Sequence, residues 1–395
     1  MLTRERIHET VEMYRQEAID CLVELVQTPS TTGDEVAISK VFCKWLEKAG
    51  LEPKVVGCAP EHPNVIAEWS GTQPGKKFQF NGHMDAYPPC DGDFGLYGPY
   101  SGKVADGYIY GRGASDMKGG DAAALMAVTF LKRAGFDPKG SIEVSYMCDE
   151  ENGSTYGVKW LLENGYLKGD FGICMEPTHG QLLIGQSGIY RITVTYTGTP
   201  ASTYRPHPTM DSLEKAHLAL SEIYKLSHEI ESRKVPYYGS PSLEVSTFHS
   251  GKAFNTFSTV STFSIDRRMV PGETMESCEA EIRAVLDKLK NQYPEMDYEL
   301  KQFSDRPAME ISEDDSFIQT VRQAMEEVTG KPVELYRRHG GSDGANINAA
   351  YGTPFPNIGA ADDLNEPAKA DEKIPIEDYL RSIEYYMLSV VRMLG

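Results

Sequence analysis

Residues 141–151, Ser141-Ile142-Glu143-Val144-Ser145-Tyr146-Met147-Cys148-Asp149-Glu150-Glu151, run as an apolar, β-prone segment that ends abruptly in acid. The same form recurs on either side. Lys77–Phe80 leads to Asn81-Gly82-His83-Met84-Asp85, and Phe171–Met175 leads to Glu176-Pro177-Thr178. With Asn64–Trp69, these segments read as buried strands, and the stretches 116–134 and 157–164 between them read as helices. Strand and helix in alternation predict an α/β fold with a largely parallel sheet. In such a sheet the C-terminal strand ends share one edge, the usual place for a site. His83, Asp116, the Glu150-Glu151 pair and Glu176 would converge there, and one imidazole with several carboxylates is a donor set for hydrolytic metal ions.

Each motif has a plainer reading. His-x-Asp alone is usually a hydrogen-bonded pair, and Glu-Glu is usually solvated surface. Gly111-x-Gly113 might suggest a dinucleotide loop, but Asp116 stands where its third glycine belongs, so that fingerprint fails. Taken in order, however, Asn81–Asp85, Gly111-Arg112-Gly113-Ala114-Ser115-Asp116-Met117-Lys118-Gly119-Gly120, Cys148–Ser154 and Met175–Thr178 closely resemble the dinuclear zinc hydrolases that include aminoacylase, acetylornithine deacetylase, succinyl-diaminopimelate desuccinylase and carboxypeptidase G. The resemblance extends over nearly the whole chain.

It implies that His83, Asp116, Glu151 and Glu176 bind metal, with Asp116 bridging two ions, and that Glu150 is the general base. Asp85, two residues along a strand from His83, is expected to hold the ring's other N–H. Zinc is the expected ion, with manganese or cobalt as alternatives, at one or two per chain. In the smaller domain, Ser250–Asn255 and Asp266–Glu273 also match, which makes Asn255 and Arg268 candidate contacts for a substrate carboxylate or carbonyl. The plainer alternative for Arg268 is a salt bridge with Asp266.

Two histidines of the family are absent. Ser202 occupies the first position, in Gly198-Thr199-Pro200-Ala201-Ser202-Thr203-Tyr204-Arg205-Pro206, and Ser202 and Arg205 are candidate substrate contacts. Ala368 occupies the second, a metal-binding position in Ala368-Lys369-Ala370-Asp371-Glu372. Alanine cannot coordinate an ion. Three arrangements are open: Glu366 or Asp371 replaces the imidazole, in a more oxygen-rich pair that favours manganese; one ion sits on His83, Asp116 and Glu176 with altered chemistry; or the chain only binds a ligand. His207, His249 and His339 lie in or beside family motifs and are expected to be structural.

The 395 residues suggest two domains. After Gln186 the predicted order is β-α-β-β-α-β, the split βαβ sandwich. The expected division is a catalytic domain over 1–187 and 305–395, with a ferredoxin-like lid and dimerisation domain inserted over 188–304. A helix is predicted from Leu2 to Val26, and another from about Thr32 with Asp34-Glu35 in its first turn. The His339 loop is expected to return to the first domain. A formal charge of −19 argues against nucleic acid and anionic membrane as partners. No run reaches the roughly 18 apolar residues of a membrane span. The charged start and seven scattered cysteines suggest no signal peptide, reduced thiols and a cytoplasmic setting.

The expected activity is therefore metal-dependent cleavage of a C–N bond, an amide in a small N-acyl amino acid or peptide-like compound bearing a carboxylate. The alternatives are hydrolytic deamination of a small amine-bearing carboxylic acid, and an inactive ligand-binding relative. The expected partners are a small-molecule substrate and a second copy of the chain.

Overall fold

The computed structural model describes residues 2–89, 95–207, 209–360 and 370–395. They form two compact units. The first comprises Met1–Ile184, Ile311–Tyr336 and Ser342–Gly395, and the second comprises Gly185–Glu310 with Arg337–Gly341. The architecture is mixed α/β, with a ferredoxin-like unit inserted in the sequence of the other.

In the first unit, three helices, α1 (Arg4–Met13), α2 (Arg15–Gln27) and α3 (Val36–Lys48), precede a five-stranded sheet. Its strands are β1 (Lys54–Val56), β2 (Asn64–Ser70), β3 (Gln73–His83), β4 (Lys139–Met147) and β5 (Phe171–Cys174), in the order β1-β2-β4-β3-β5. β3 runs parallel to both β4 and β5, whereas β1 and β2 are antiparallel additions. The alternation of β3 explains its place at the centre. Phe78 and Phe80 are fully buried beside Ile142 and Val144, while Gln79 and Asn81 meet Glu143 and Ser145 through buried hydrogen bonds of 2.7 and 3.2 Å. Their buried amide nitrogens are tolerated in the sheet because each finds an acceptor.

The helix α4 (Lys118–Arg133) is buried along nearly its whole length. Its start can sit against the strand ends because Gly120 has no side chain: a Cβ there would lie 2.1 Å from the Met175 carbonyl oxygen.

The second unit contains β6 (Gly188–Thr197), α5 (Ser212–Glu231), β7 (Ser242–Ser250), β8 (Val260–Met269), α6 (Met275–Gln292) and β9 (Tyr298–Arg306). The sheet order β7-β8-β6-β9 is antiparallel throughout. Tyr190, Ile192, Val194 and Tyr196 alternate inward on β6 and pack with Phe263 and Ile265 against Ile223 and Ile230 of α5 and Ile282 and Leu286 of α6. The second helix opens with a reciprocal cap between Thr274 and Ser277.

Three local expectations differ from the structure. The helix predicted over Leu2–Val26 is broken at Tyr14, which leaves helical geometry at φ −108°, ψ 17° and stacks on Phe130. The helix expected from Thr32 begins at Val36, and the Glu35 carboxylate accepts backbone N–H groups of Gly33 (3.0 Å) and Asp149 (3.2 Å) instead of facing the helix dipole. The His339 loop belongs to the second unit: Ser187 N–H bonds to Arg338 O (3.0 Å), Ser187 Oγ lies 3.2 Å from His339 Nδ1, and Arg337 pairs with Glu310. The chain then continues through α7 (Asp343–Tyr351) to a closing helix, α8 (Ile376–Leu394).

Candidate metal centre

Parallel pairing sets three strand ends side by side. His83 ends β3 opposite Met147, the last residue of β4, and Asn81 lies opposite Cys174, the last residue of β5. Beyond those ends, Met84 N–H bonds to Met147 O (2.7 Å) and Met175 N–H to Asn81 O (2.9 Å), so the chains leave the sheet already aligned. Asp116 arrives from the turn before α4. Asp149 (φ 66°) and Gly153 (φ 103°) then bracket a single 3-10 turn, Glu150–Asn152, which carries two adjacent glutamates to the His83 ring.

His83 Nε2 lies 3.3 Å from Asp116 Oδ1 and 3.9 Å from Glu176 Oε1. Two groups of donor atoms form around this ring, each within 4.8 Å: His83 with Asp116 and Glu176, and His83 with Glu150 and Glu151. The expected residues of the first unit are thus brought together.

The donor set fits a divalent cation. Glu151 Oε1 is buried without a hydrogen bond among the described residues, and buried Asp116 Oδ1 faces the His83 ring at 3.3 Å, an arrangement that is costly without a counter-charge. Burial and the Asp116 and Glu150 charges push the Glu151 carboxyl up to about 10. Burial alone would keep the His83 imidazole neutral, but hydrogen bonding to Asp116 and Asp85 and the Glu150 charge outweigh it and raise it well above its ordinary value. Crowded carboxylates around one imidazole are the environment that a cation of hard or borderline character relieves.

Asp85 meets the His83 ring chiefly through its main chain. His83 Nδ1 is 2.9 Å from the main-chain oxygen of Asp85 and 3.5 Å from its Oδ1. A carbonyl can only accept, so Nδ1 carries the proton and Nε2 is left facing Asp116. The Asp85 carboxylate instead accepts Glu150 N–H at Oδ1 (3.1 Å), and Glu151 N–H (3.1 Å) and the Thr32 hydroxyl (2.8 Å) at Oδ2. Despite burial, these partners and His83 keep it below the usual carboxylate range. Asp85 therefore fixes the glutamate turn as much as the ring.

Sequence reasoning missed two further anchors. Glu372 accepts N–H from Ser115 (2.9 Å) and Asp116 (3.2 Å) at Oε1 and pairs with Arg112 Nη1 at 2.9 Å, with both side chains 2% exposed. Glu35 holds Asp149, as described above. Glu372 had a signal in the acidic pair Asp371-Glu372, whereas Glu35 resembles any acid near a helix start.

The remaining candidates lie in the second unit. Ser202 is exposed, with its Oγ 3.4 Å from Asn255 O, and the Asn255 side chain is also exposed. Arg205 lies over the Tyr204 ring at 5.0 Å. Arg268 Nε pairs with Asp266 Oδ1 at 2.9 Å, and Asp266 also receives Arg191 at 2.9 Å, so the plainer reading of that motif describes its local state. His207 bonds to main-chain oxygens of Thr199 and Thr209. In the first unit, Asp371 is exposed, accepts Leu96 N–H (2.7 Å) and is not part of the donor groups found among the described residues. Ala368 and Glu366 lie outside the described residues.

Comparison with known proteins agrees with this construction. The chain is 28% identical over 381 residues to the succinyl-diaminopimelate desuccinylase of Parvibaculum lavamentivorans, covering 93% of each. Among solved structures, it superposes on aminopeptidase PepT of Bacillus cereus with a TM-score of 0.73 at 21% identity, covering 95% of this chain and 98% of the other. It superposes on the Bacillus subtilis YXEP protein, described as a dinuclear metal-binding peptidase, with a TM-score of 0.72 at 18% identity, covering 97% and 99%. The model of peptidase family M20/M25/M40 matches residues 79–392, which hold His83, Asp116, Glu150, Glu151 and Glu176. The chain belongs to peptidase family M20/M25/M40 and is a metal-dependent hydrolase of amide bonds.

Proposed function

We propose that the substrate is a small N-acyl amino acid or peptide-like amide carrying a carboxylate, and that Glu150 is the base that drives its hydrolysis. The observation that carries this reading is the turn at the end of β4. It places Glu150, 6% exposed, in the donor group around His83 while Asp85 holds its main-chain N–H. His83, Asp116, Glu151 and Glu176 are the proposed ligands for zinc, or for manganese or cobalt, at one or two ions per chain. Such an ion supplies Lewis acidity and lowers the pKa of water.

Glu150 takes a proton from the attacking water and returns it to the departing amine nitrogen, so the C–N bond breaks with a neutral leaving group. Asp85 keeps Glu150 and Glu151 at fixed positions during both transfers. Asn255, Arg268, Ser202 and Arg205 are proposed to contact the substrate, with Arg268 exchanging Asp266 for the substrate carboxylate.

A homodimer through the inserted unit is proposed from β7, which is an edge strand of its sheet and carries exposed Phe248. A cytoplasmic setting is proposed from the free cysteines among the described residues.

The test is Glu150→Gln assayed on a panel of N-acyl amino acids and dipeptides, with elemental analysis alongside. Turnover should fall by about 10²–10⁴-fold with metal content intact. An active variant removes Glu150 from its role, and ammonia release without amide cleavage moves the substrate to an amine.

A further inference from the structure

The hairpin that joins β7 to β8 is fastened at its mouth by a knot of four hydroxyl groups. Ser250, the last residue of β7, stands directly opposite Ser261 of β8, and their Oγ atoms are 2.6 Å apart. Ser258 turns back onto this pair, with its Oγ 2.9 Å from Ser250 Oγ and 3.3 Å from Ser261 Oγ. Ser212, the first residue of α5, completes the knot: its Oγ lies 2.8 Å from both the Oγ and the main-chain oxygen of Ser258, and 3.0 Å from Ser261 Oγ. Ser212, Ser258 and Ser261 are buried, and Ser250 is half-buried. Every proton has an acceptor. Ser258 donates to Val260 O (3.0 Å), Ser212 to Ser258 O, Ser250 to Ser258 Oγ and Ser261 to Ser250 or Ser212, while Gly251 N–H adds a bond to Ser258 Oγ (3.1 Å).

The loop above this knot, Gly251–Thr259, is longer than the hairpin connections of about 2–5 residues that are usual. Gly251 to Thr256 are exposed and Phe254 is 98% exposed, so these side chains do not anchor the loop in a core. Main-chain bonds instead tie it to the neighbouring segment: Gly198 N–H to Thr259 O (2.9 Å), Phe257 N–H to Ala201 O (3.0 Å) and Thr203 N–H to Asn255 O (3.2 Å), with Ser202 and Thr256 paired in an isolated bridge. Asn255, one of the proposed substrate contacts, thus lies on an exposed loop that is braced by a second exposed segment, and the serine knot fixes the base of the loop to α5.

We infer that Ser212, Ser250, Ser258 and Ser261 are positioning residues that hold Asn255 where the substrate meets it. This rests on the substrate contact proposed above for Asn255. An exposed loop without such a fastening samples many conformations, and binding must then order it at an entropic cost. A loop held at both stems presents the Asn255 amide already in place, so the knot acts on the reaction through that side chain.

The experiment places Ser258→Ala and Asn255→Ala in a double-mutant cycle on the panel of N-acyl amino acids and dipeptides, with Glu150→Gln as the inactive reference. Ser258→Ala should lower kcat/KM by about 10–100-fold, the scale of a group misplaced by about 1 Å. The double variant should lose no more than Asn255→Ala alone, because the knot acts through Asn255; independent effects would multiply. A readout separate from turnover is trypsin cleavage after Lys252 in the intact protein, followed by mass spectrometry. It should be faster in Ser258→Ala than in wild type, with cleavage elsewhere unchanged.

Wild-type kinetics or wild-type cleavage in Ser258→Ala would overturn the proposal, as would losses that multiply with those of Asn255→Ala. Full activity of Asn255→Ala beside a dead Glu150→Gln would overturn it at the substrate contact. Full activity of Glu150→Gln would overturn the amide-hydrolase reading itself. Should Ser258→Ala fail to fold, as its melting temperature would show, Ser250→Ala removes the half-buried member of the knot and carries the same expectations.

Discussion

Asp121 is fully buried on α4, and neither of its carboxylate oxygens makes a hydrogen bond among the described residues. It rests on the backbone of Gly82, where a Cβ would come within 2.0 Å of Oδ1, so the acid at 121 requires glycine at 82. Burial pushes this carboxyl well above its ordinary value. The native chain then holds a proton that the unfolded chain releases above its ordinary carboxyl pKa, and stability falls as pH rises from there until the buried acid ionises. In the metal-free protein, Asp121→Ala should remove up to about 1.4 kcal/mol per pH unit of that slope and raise stability near neutral pH by about 1–3 kcal/mol. Urea unfolding of both proteins at mildly acidic and neutral pH measures it, and equal slopes would show that Asp121 does not hold its proton. His83, Glu150, Glu151 and Glu176 were legible because they follow apolar runs, and Asp116 because of its glycine-rich motif. Asp85 was legible as a partner of His83 but not as the acceptor for Glu150 and Glu151. Such anchors act on main-chain N–H groups, which every residue type carries, so no pattern of side chains announces them.

Among the elements, the turn that delivers Asp116 depends on a carboxylate from far along the chain. Glu372 satisfies two N–H groups of that turn and neutralises Arg112 in a buried pair. Glu372→Ala should cost about 3–5 kcal/mol, because the Arg112 charge is left buried. It should also weaken metal binding by about 10–100-fold, since the turn is no longer held. Calorimetric titration of the metal-free variant and its urea midpoint test both; a stable variant with unchanged affinity would show that Arg112 alone supports the turn. The strands and main helices were legible because periods of two and of 3.6 residues are plain in the sequence. The break at Tyr14 was not, because apolar spacing continues through it. The ring turns aside to stack on Phe130, with the Arg133 guanidinium 4.6 Å above it, a preference set by residues more than a hundred positions away.

For the whole molecule, the inserted unit has a closed core of its own, with β6 buried between flanking strands and two capped helices. Gly185–Glu310 produced alone should therefore unfold cooperatively, with a stability of about 5–10 kcal/mol. A gradual, featureless circular-dichroism transition would count against this. The βαββαβ order was readable from the sequence because each element carries its own pattern. The membership of Arg337–Gly341 was not, because it is set by Ser187, Arg306 and Glu310, distant partners of a short segment without periodicity. The Glu372 anchor also bears on how the protein is made. A ribosome exposes His83, Asp116, Glu150, Glu151 and Glu176 early, whereas the residue that steadies Asp116 is synthesised 257 positions after Ser115. A nascent chain thus carries its proposed ligands long before it carries their support, so loading of the proposed centre with metal belongs after translation, when the closing segment has docked.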